Sequence, residues 1–274
     1  MKKPKKIYYY TDALNDDFAG TKITKRPLPE NYKFVNKDPF SRFFSFFIYW
    51  IIAVPVLFLP VKLIFGIKVK GRKNLKSVRR KGVFFYTNHT QIVDAMLIQL
   101  YVAGPKRTYI VADQDATSIK GIRYLVKSLG CIPVPETKGE HEKFIDAISY
   151  RIKQKRGISI FPEAHIWPYS THIRPFGDAS FVYPSELGAP VVPVCVTYRQ
   201  RKFFKSRKPA MTVHVGKPIL PDMKVSLMER KKELRQRVYD FMLDMSSENE
   251  NEEYIAYVKA KKDEDGPSNE GKSL

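Results

Sequence analysis

Cysteine is almost missing from this chain: Cys131 and Cys195 are the two in 274 residues. A disulfide framework is therefore excluded. Both lie in apolar runs and read as small buried residues of a protein in a reducing compartment. Glycine is sparse at 14 and proline stands at 19, which excludes a collagen-like chain. No apolar run follows Lys2, Lys3, Lys5 and Lys6, so no cleavable signal peptide is expected there. No internal repeat is visible. Apolar residues, by contrast, make up 43% and charged residues 28%. Wholesale disorder is excluded, and the length suffices for one large domain with tails.

The charge is lopsided, at +20. Residues 1–42 hold ten Lys and Arg against five Asp and Glu, while residues 246–274 hold four against eight. The middle, 43–245, therefore carries +19, so the excess belongs to the body and not to a detachable tail. Such a field draws polyanions: nucleic acid, an anionic membrane surface or an acidic protein. Sixteen Tyr keep nucleic acid in view, but no zinc-finger, RNP or helix-turn-helix signature is present.

Residues 43–61, FFSFFIYWIIAVPVLFLPV, are 19 positions without a formal charge, between Arg42 and Lys62. A membrane span needs about 20. Pro55 and Pro60 disfavour a straight helix, and Tyr49 and Trp50 lie mid-run instead of at an interfacial end. Bases flank both sides, so no orientation follows. A re-entrant or monotopic anchor fits as well as a span. A buried core helix is the weaker alternative, because few soluble helices lack polar positions for so long. This long apolar run favours lipid over nucleic acid as the partner.

From Gly66 the pattern is that of an α/β domain with a mixed, largely covered β-sheet flanked by helices. Strands are expected at 68–71, 82–86, 108–112, 131–134, 157–161, 191–197 and 211–215. Helices are expected at 94–102, 121–129, 141–155 and 226–245, the last with Leu227, Leu234, Val238, Phe241 and Met245 as its stripe. The expected division is a basic flexible arm at 1–42, a membrane-associated segment at 43–65, the main domain at 66–245 and an acidic polar tail at 246–274.

His89 follows a strand and precedes a helix in FFYTNHTQIVDAML. Loops after strand ends are the usual place for catalytic groups in α/β proteins. Asp94 lies five residues on. Five helical steps rotate by about 500°, so the two side chains meet only if His89 lies on a turn and the helix starts near Asp94. A carboxylate on one ring nitrogen would fix the tautomer and leave the other as a general base. The same spacing recurs at His141 and Asp146, inside a charged amphipathic helix, where a solvated face is expected. FPEAH, Phe161–His165, places Glu163 on a rigid turn after a strand, where it could bind a hydroxyl or hold a loop.

Taken in order, the apolar segment, strand–NHTQIVD–helix, FPEA at 161–164 and the Val191–Val194 strand resemble the PlsC-type glycerolipid acyltransferases. The resemblance spans about Phe43 to Leu220. It implies a membrane-associated enzyme, with its active site facing the cytoplasm. Such an enzyme moves a fatty acyl group from a thioester of acyl-carrier protein or coenzyme A to the hydroxyl of a lysophospholipid. The acceptor implied is 1-acyl-sn-glycerol-3-phosphate, giving phosphatidic acid. In that reading His89 is the base, Asp94 orients it and Glu163 helps place the acceptor. No cofactor is implied beyond the thioester co-substrate. Two positions depart from the family pattern. Glu136 and Ile166 stand where the family has arginines that would grip phosphate. Arg174 is the expected replacement, with Lys120 and Arg123 as further acceptor-binding candidates.

His165, Trp167 and His172 cluster in HIWPYSTH. Pro168 breaks the helix that would align the two histidines, and no Cys is near, so no metal site is expected. A loop lining the acceptor pocket is the preferred reading. Two further readings compete: a non-catalytic lipid-binding homologue, and the same chemistry on a different lipid acceptor.

Overall fold

The computed structural model describes residues 4–20, 27–29, 31–118, 123–201, 208–248 and 250–260. Its centre is a seven-stranded sheet made of β2 (Lys68–Lys70), β3 (Val83–Thr87), β4 (Thr108–Ala112), β5 (Cys131–Pro133), β6 (Gly157–Ile160), β7 (Val191–Arg199) and β8 (Ala210–Val215). The strand order is β2-β8-β7-β3-β6-β4-β5. β3 to β7 run parallel, and β8 returns antiparallel to β7.

Both faces of the sheet are covered, as the unbroken apolar strands require. Successive side chains of β3 point to opposite faces. Phe84 and Tyr86 join one core with Phe144, Ile148, Leu234 and Val238. Val83 and Phe85 join the other with Leu97, Ile98, Val192 and Met211. The first face is covered by α6 (Lys138–Lys153), α7 (Val182–Leu187) and α8 (Leu227–Glu248). Of the expected α8 stripe, Leu234 and Val238 are buried, while Leu227 lies exposed and Met242 takes a core place. The second face is covered by α3 (Asp94–Leu97) and its π-helical continuation Ile98–Val102. Two short helices, α4 (Asp115–Ser118) and α5 (Arg123–Ser128), link β4 to β5.

The apolar segment is one helix from Pro39 to Phe65. It comprises α1 (Pro39–Phe46), a π-helical stretch Phe47–Ala53 and α2 (Val54–Phe65). Asp38 caps its start by accepting from the Ser41 N–H at 2.7 Å, and Gly66, at φ 57°, ends it in the left-handed conformation. Pro55 does not break it. The π turn ends just before Pro55, with the Val54 N–H donating five residues back to Tyr49. A widened turn is how a helix absorbs a missing N–H and a crowding ring. The helix is long and apolar enough to cross a membrane, and only 11% of its most apolar window is buried. Phe43, Ile51, Val56, Leu59 and Leu63 stand exposed, which excludes the core-helix alternative.

The arm and tail differ from expectation. β1 (Lys6–Tyr10) pairs in parallel with β9 (Ile255–Lys259), from Lys6 with Ile255 to Tyr10 with Lys259. Leu28 and Phe34 are also buried. The arm is therefore not a loose one across 6–10, and the tail is not frayed at 255–259. The reason is aromatic packing: Tyr8, Tyr10, Phe18 and Tyr257 gather around Trp167. Short alternating runs carry little periodic signal when their partner lies at the far end of the chain.

Candidate active site

The site is built at the carboxyl ends of two neighbouring parallel strands. Tyr86 of β3 is in register with Ile160 of β6. Three residues beyond each lie His89 and Glu163, so parallel pairing alone brings together residues 74 positions apart. The His89 backbone N–H donates to Glu163 Oε2 at 3.0 Å.

His89 lies on a turn, and α3 begins at Asp94, which is the layout that lets the two meet. His89 Nδ1 stands 3.4 Å from Asp94 Oδ2. That oxygen also accepts from the backbone N–H groups of Thr90 at 2.6 Å and Gln91 at 2.7 Å. Asp94 is fully buried, and these donors stabilise its charge there. The arrangement selects the tautomer with the proton on Nδ1. Nε2 then has no hydrogen-bond partner among the described residues and keeps its lone pair. The imidazole ring stacks on Phe161, with centroids 4.1 Å apart and planes 16° from parallel. His141 and Asp146, by contrast, are both exposed on α6 and form no ion pair with each other.

Glu163 is buried and faces inward. Besides His89 it accepts from the Arg174 backbone N–H at 2.9 Å, and Arg174 Nη2 lies 3.4 Å from Oε2. Burial pushes its carboxyl group above the usual range, while Arg174 and the two backbone donors pull it back. Glu163 thus forms a clamp between two loops. Arg174 is likewise engaged within the chain. It is 3% exposed, and its guanidinium bonds the His165 carbonyl, reaches the Ala13 carbonyl at 3.4 Å and lies over the Trp167 ring at 4.9 Å. It locks the loop after FPEA.

The remaining acceptor candidates are scattered. Arg123 opens α5 and donates through Nε to the Thr117 carbonyl at 2.8 Å. Lys120 lies outside the described residues. Glu136 is exposed just before α6, its N–H donating to Glu140 Oε2 at 2.9 Å. Ile166 is half-buried and held to the arm through its backbone, its N–H donating to Asp17 Oδ1 at 3.2 Å and its carbonyl accepting from Phe18 at 3.2 Å. His165 and His172 belong to no group of metal-ligating side chains among the described residues.

Several supporting residues escape sequence reasoning. Asn88 clamps β7, accepting from the Val196 N–H at 2.7 Å and donating to its carbonyl at 3.0 Å. Trp167 donates its backbone N–H to the His89 carbonyl at 3.2 Å, and Tyr169 donates to that of Thr90 at 3.1 Å. The Tyr198 hydroxyl donates to Thr90 Oγ1 at 2.8 Å. Asn88, beside the histidine, and Trp167, in the HIWPYSTH run, carried a local signal. The others depend on how distant loops fold onto the strand ends.

Residues 66–197 match the family model described as acyltransferase. Comparison with curated proteins finds no match. Among solved structures, the 1-acyl-sn-glycerophosphate (LPA) acyltransferase PlsC from Thermotoga maritima is similar, at 18% identity and a TM-score of 0.54. The likeness covers 76% of this chain and 86% of that one, and at such identity it speaks for the fold. The matched stretch, just under half of the chain, holds β2 to β6, most of β7, and His89, Asp94 and Glu163, so this stretch resembles an acyltransferase-family domain.

Proposed function

We propose that this chain transfers a fatty acyl group from a thioester, of acyl-carrier protein or coenzyme A, to the free hydroxyl of a lysophospholipid at a membrane. The observation that carries this reading is the His89–Asp94 pair at the end of β3, with Nε2 left free. His89 Nε2 takes the proton of the acceptor hydroxyl as that oxygen attacks the thioester carbonyl carbon. The tetrahedral intermediate collapses, the carbon–sulfur bond breaks, and the proton passes from the imidazolium to the departing thiolate. Asp94 stabilises the imidazolium between the two steps. No side-chain nucleophile is needed, because the acceptor itself attacks.

The helix Pro39–Phe65 supports a membrane location, since its exposed apolar surface would otherwise face water. The free thiols Cys131 and Cys195 suit a domain on the cytoplasmic side. The PlsC of Thermotoga maritima points to 1-acyl-sn-glycerol-3-phosphate as the acceptor, with phosphatidic acid as product. A second reading, a lysolipid with another headgroup, is favoured by one specific observation. An exposed acid and a half-buried isoleucine, Glu136 and Ile166, occupy the positions where phosphate-gripping arginines were expected.

The test is acyl transfer by the detergent-solubilised chain, with both donors and a panel of lysolipids. His89→Ala is expected to lower kcat by about 10³-fold or more while the protein stays folded. Asp94→Asn is expected to lower kcat with little change in KM. Transfer to a lysolipid other than the phosphate monoester alone would establish the second reading. A folded wild type inactive with every pair would refute the enzymatic one.

A further inference from the structure

At the opposite end of the sheet from His89 lies a cavity of about 840 Å³. It opens where β4, β5 and β6 begin and where the apolar helix starts. Among the described residues its lining includes Arg42, Arg107, Lys127, Arg151 and Arg156 and not one carboxylate. Phe43, Phe46 and Trp50 of the helix form an apolar wall beside them.

Five cations around one cavity repel each other unless an anion is present. Nothing in the described chain supplies it: none of the five is in ion-pair contact with an acid. The acid whose charge reaches Lys127 is Asp38, and it is engaged in capping Ser41. Burial above all, with Lys33 and Arg151 adding to it, lowers the Lys127 ammonium to about 8. Arg107 is 8% exposed. One of its amino groups donates to Ser45 Oγ and to the Ser128 carbonyl, both at 2.6 Å, yet its Nε is buried without a partner. Arg151 also holds a buried, unpartnered Nε, with its guanidinium 4.2 Å from the Tyr109 ring centroid.

We infer that this cleft binds the phosphate of an anionic membrane phospholipid, as a second lipid site separate from the one at His89. Guanidinium forks match phosphate oxygens, and buried ones hold them with little competition from water. The chain places this cluster at the foot of its exposed apolar helix, so that a bound phosphate leaves its acyl chains against Phe43, Phe46 and Trp50. A free polyanion would make no use of that wall. The site would fix the anchor against the domain at the bilayer surface.

The experiment measures binding of the full chain to vesicles of phosphatidylcholine, with and without about one-fifth phosphatidylglycerol, which has no lysolipid hydroxyl to acylate. Arg151→Gln with Arg156→Gln is compared with Lys224→Gln with Lys232→Gln, which removes equal charge from exposed positions elsewhere. The arginine pair is expected to weaken binding to phosphatidylglycerol vesicles by about tenfold or more, and the lysine pair by less than about twofold. Equal losses would mean that the overall positive field does the work and would overturn the proposal. Inorganic phosphate is the second probe. It is expected neither to displace wild type from vesicles nor to raise its Tm. A Tm rise with phosphate that the arginine pair abolishes, with vesicle binding intact, would assign the cleft to a free ion and sink the lipid reading. Should the glutamine pair fail to fold, Arg151→Lys with Arg156→Lys keeps the charge but loses the forks. It is expected to bind these vesicles several-fold more weakly than wild type, and undiminished binding would count against the site.

Discussion

Glu163 shows what a single buried acid does here. Both its oxygens accept backbone N–H bonds, from His89 and Arg174, so it ties the His89 loop to the loop after β6. Glu163→Gln keeps the shape but turns an amide –NH₂ toward groups that already donate. It is expected to cost about 3 kcal/mol of stability, read by urea unfolding, and to lower kcat more than it changes KM. Ala164, next to it, sits at φ 62°, where a side chain is strained and glycine is not. Ala164→Gly is expected to raise stability by about 1 kcal/mol, visible as an increase in Tm. The motif and its position were readable from the residues, but the direction in which Glu163 and Arg174 point was not. A charged side chain after a strand end can face solvent or another loop, and only the packing of distant segments decides.

Among elements, the β1–β9 pair has the clearest consequence. It links residues near both ends of the chain and rests on Trp167, whose ring stacks on Tyr257 at 4.7 Å and contacts Tyr10 at 4.8 Å. Trp167 Nε1 donates to the Asp16 carbonyl at 2.7 Å, while its backbone N–H holds the His89 carbonyl. The β1–β9 pair thereby braces the loop that carries His89. Trp167→Ala is expected to cost about 3–5 kcal/mol and to release the 6–18 segment to limited proteolysis. Trp167→Phe should retain much of both, since the ring supplies most of the contact. The seven strands and four main helices expected between 68 and 245 lie close to their places because each carries its own apolar period, whereas the short α4 and α7 were not expected. β1 and β9 do not, because each is short and stabilised by rings contributed from elsewhere.

Over the whole molecule, two covered sheet faces, a basic body and an exposed apolar helix set the response to solvent. One buried histidine makes stability depend on pH. His214 on β8 bonds Thr197 Oγ1 at 2.9 Å, and burial, aided by Lys70, lowers its pKa from 6.5 to about 4. The unfolded chain therefore takes up a proton at a pH where the folded chain does not. This contribution is complete above pH 6.5 and is lost as pH falls toward 4. Urea unfolding at about pH 7.5 and pH 5 is expected to show the loss, and His214→Gln to reduce the difference between the two. By itself, the sequence determined the class of fold, the succession of strands along the chain, the long apolar segment and the two motifs at the strand ends, because these depend on local period and residue type. The tertiary structure alone decided that Arg174 is buried instead of open to a headgroup, that the arm and tail form a sheet, and that five separate bases enclose one cavity. Those outcomes rest on contacts between residues far apart in the chain, where no local pattern records which surface each side chain will meet.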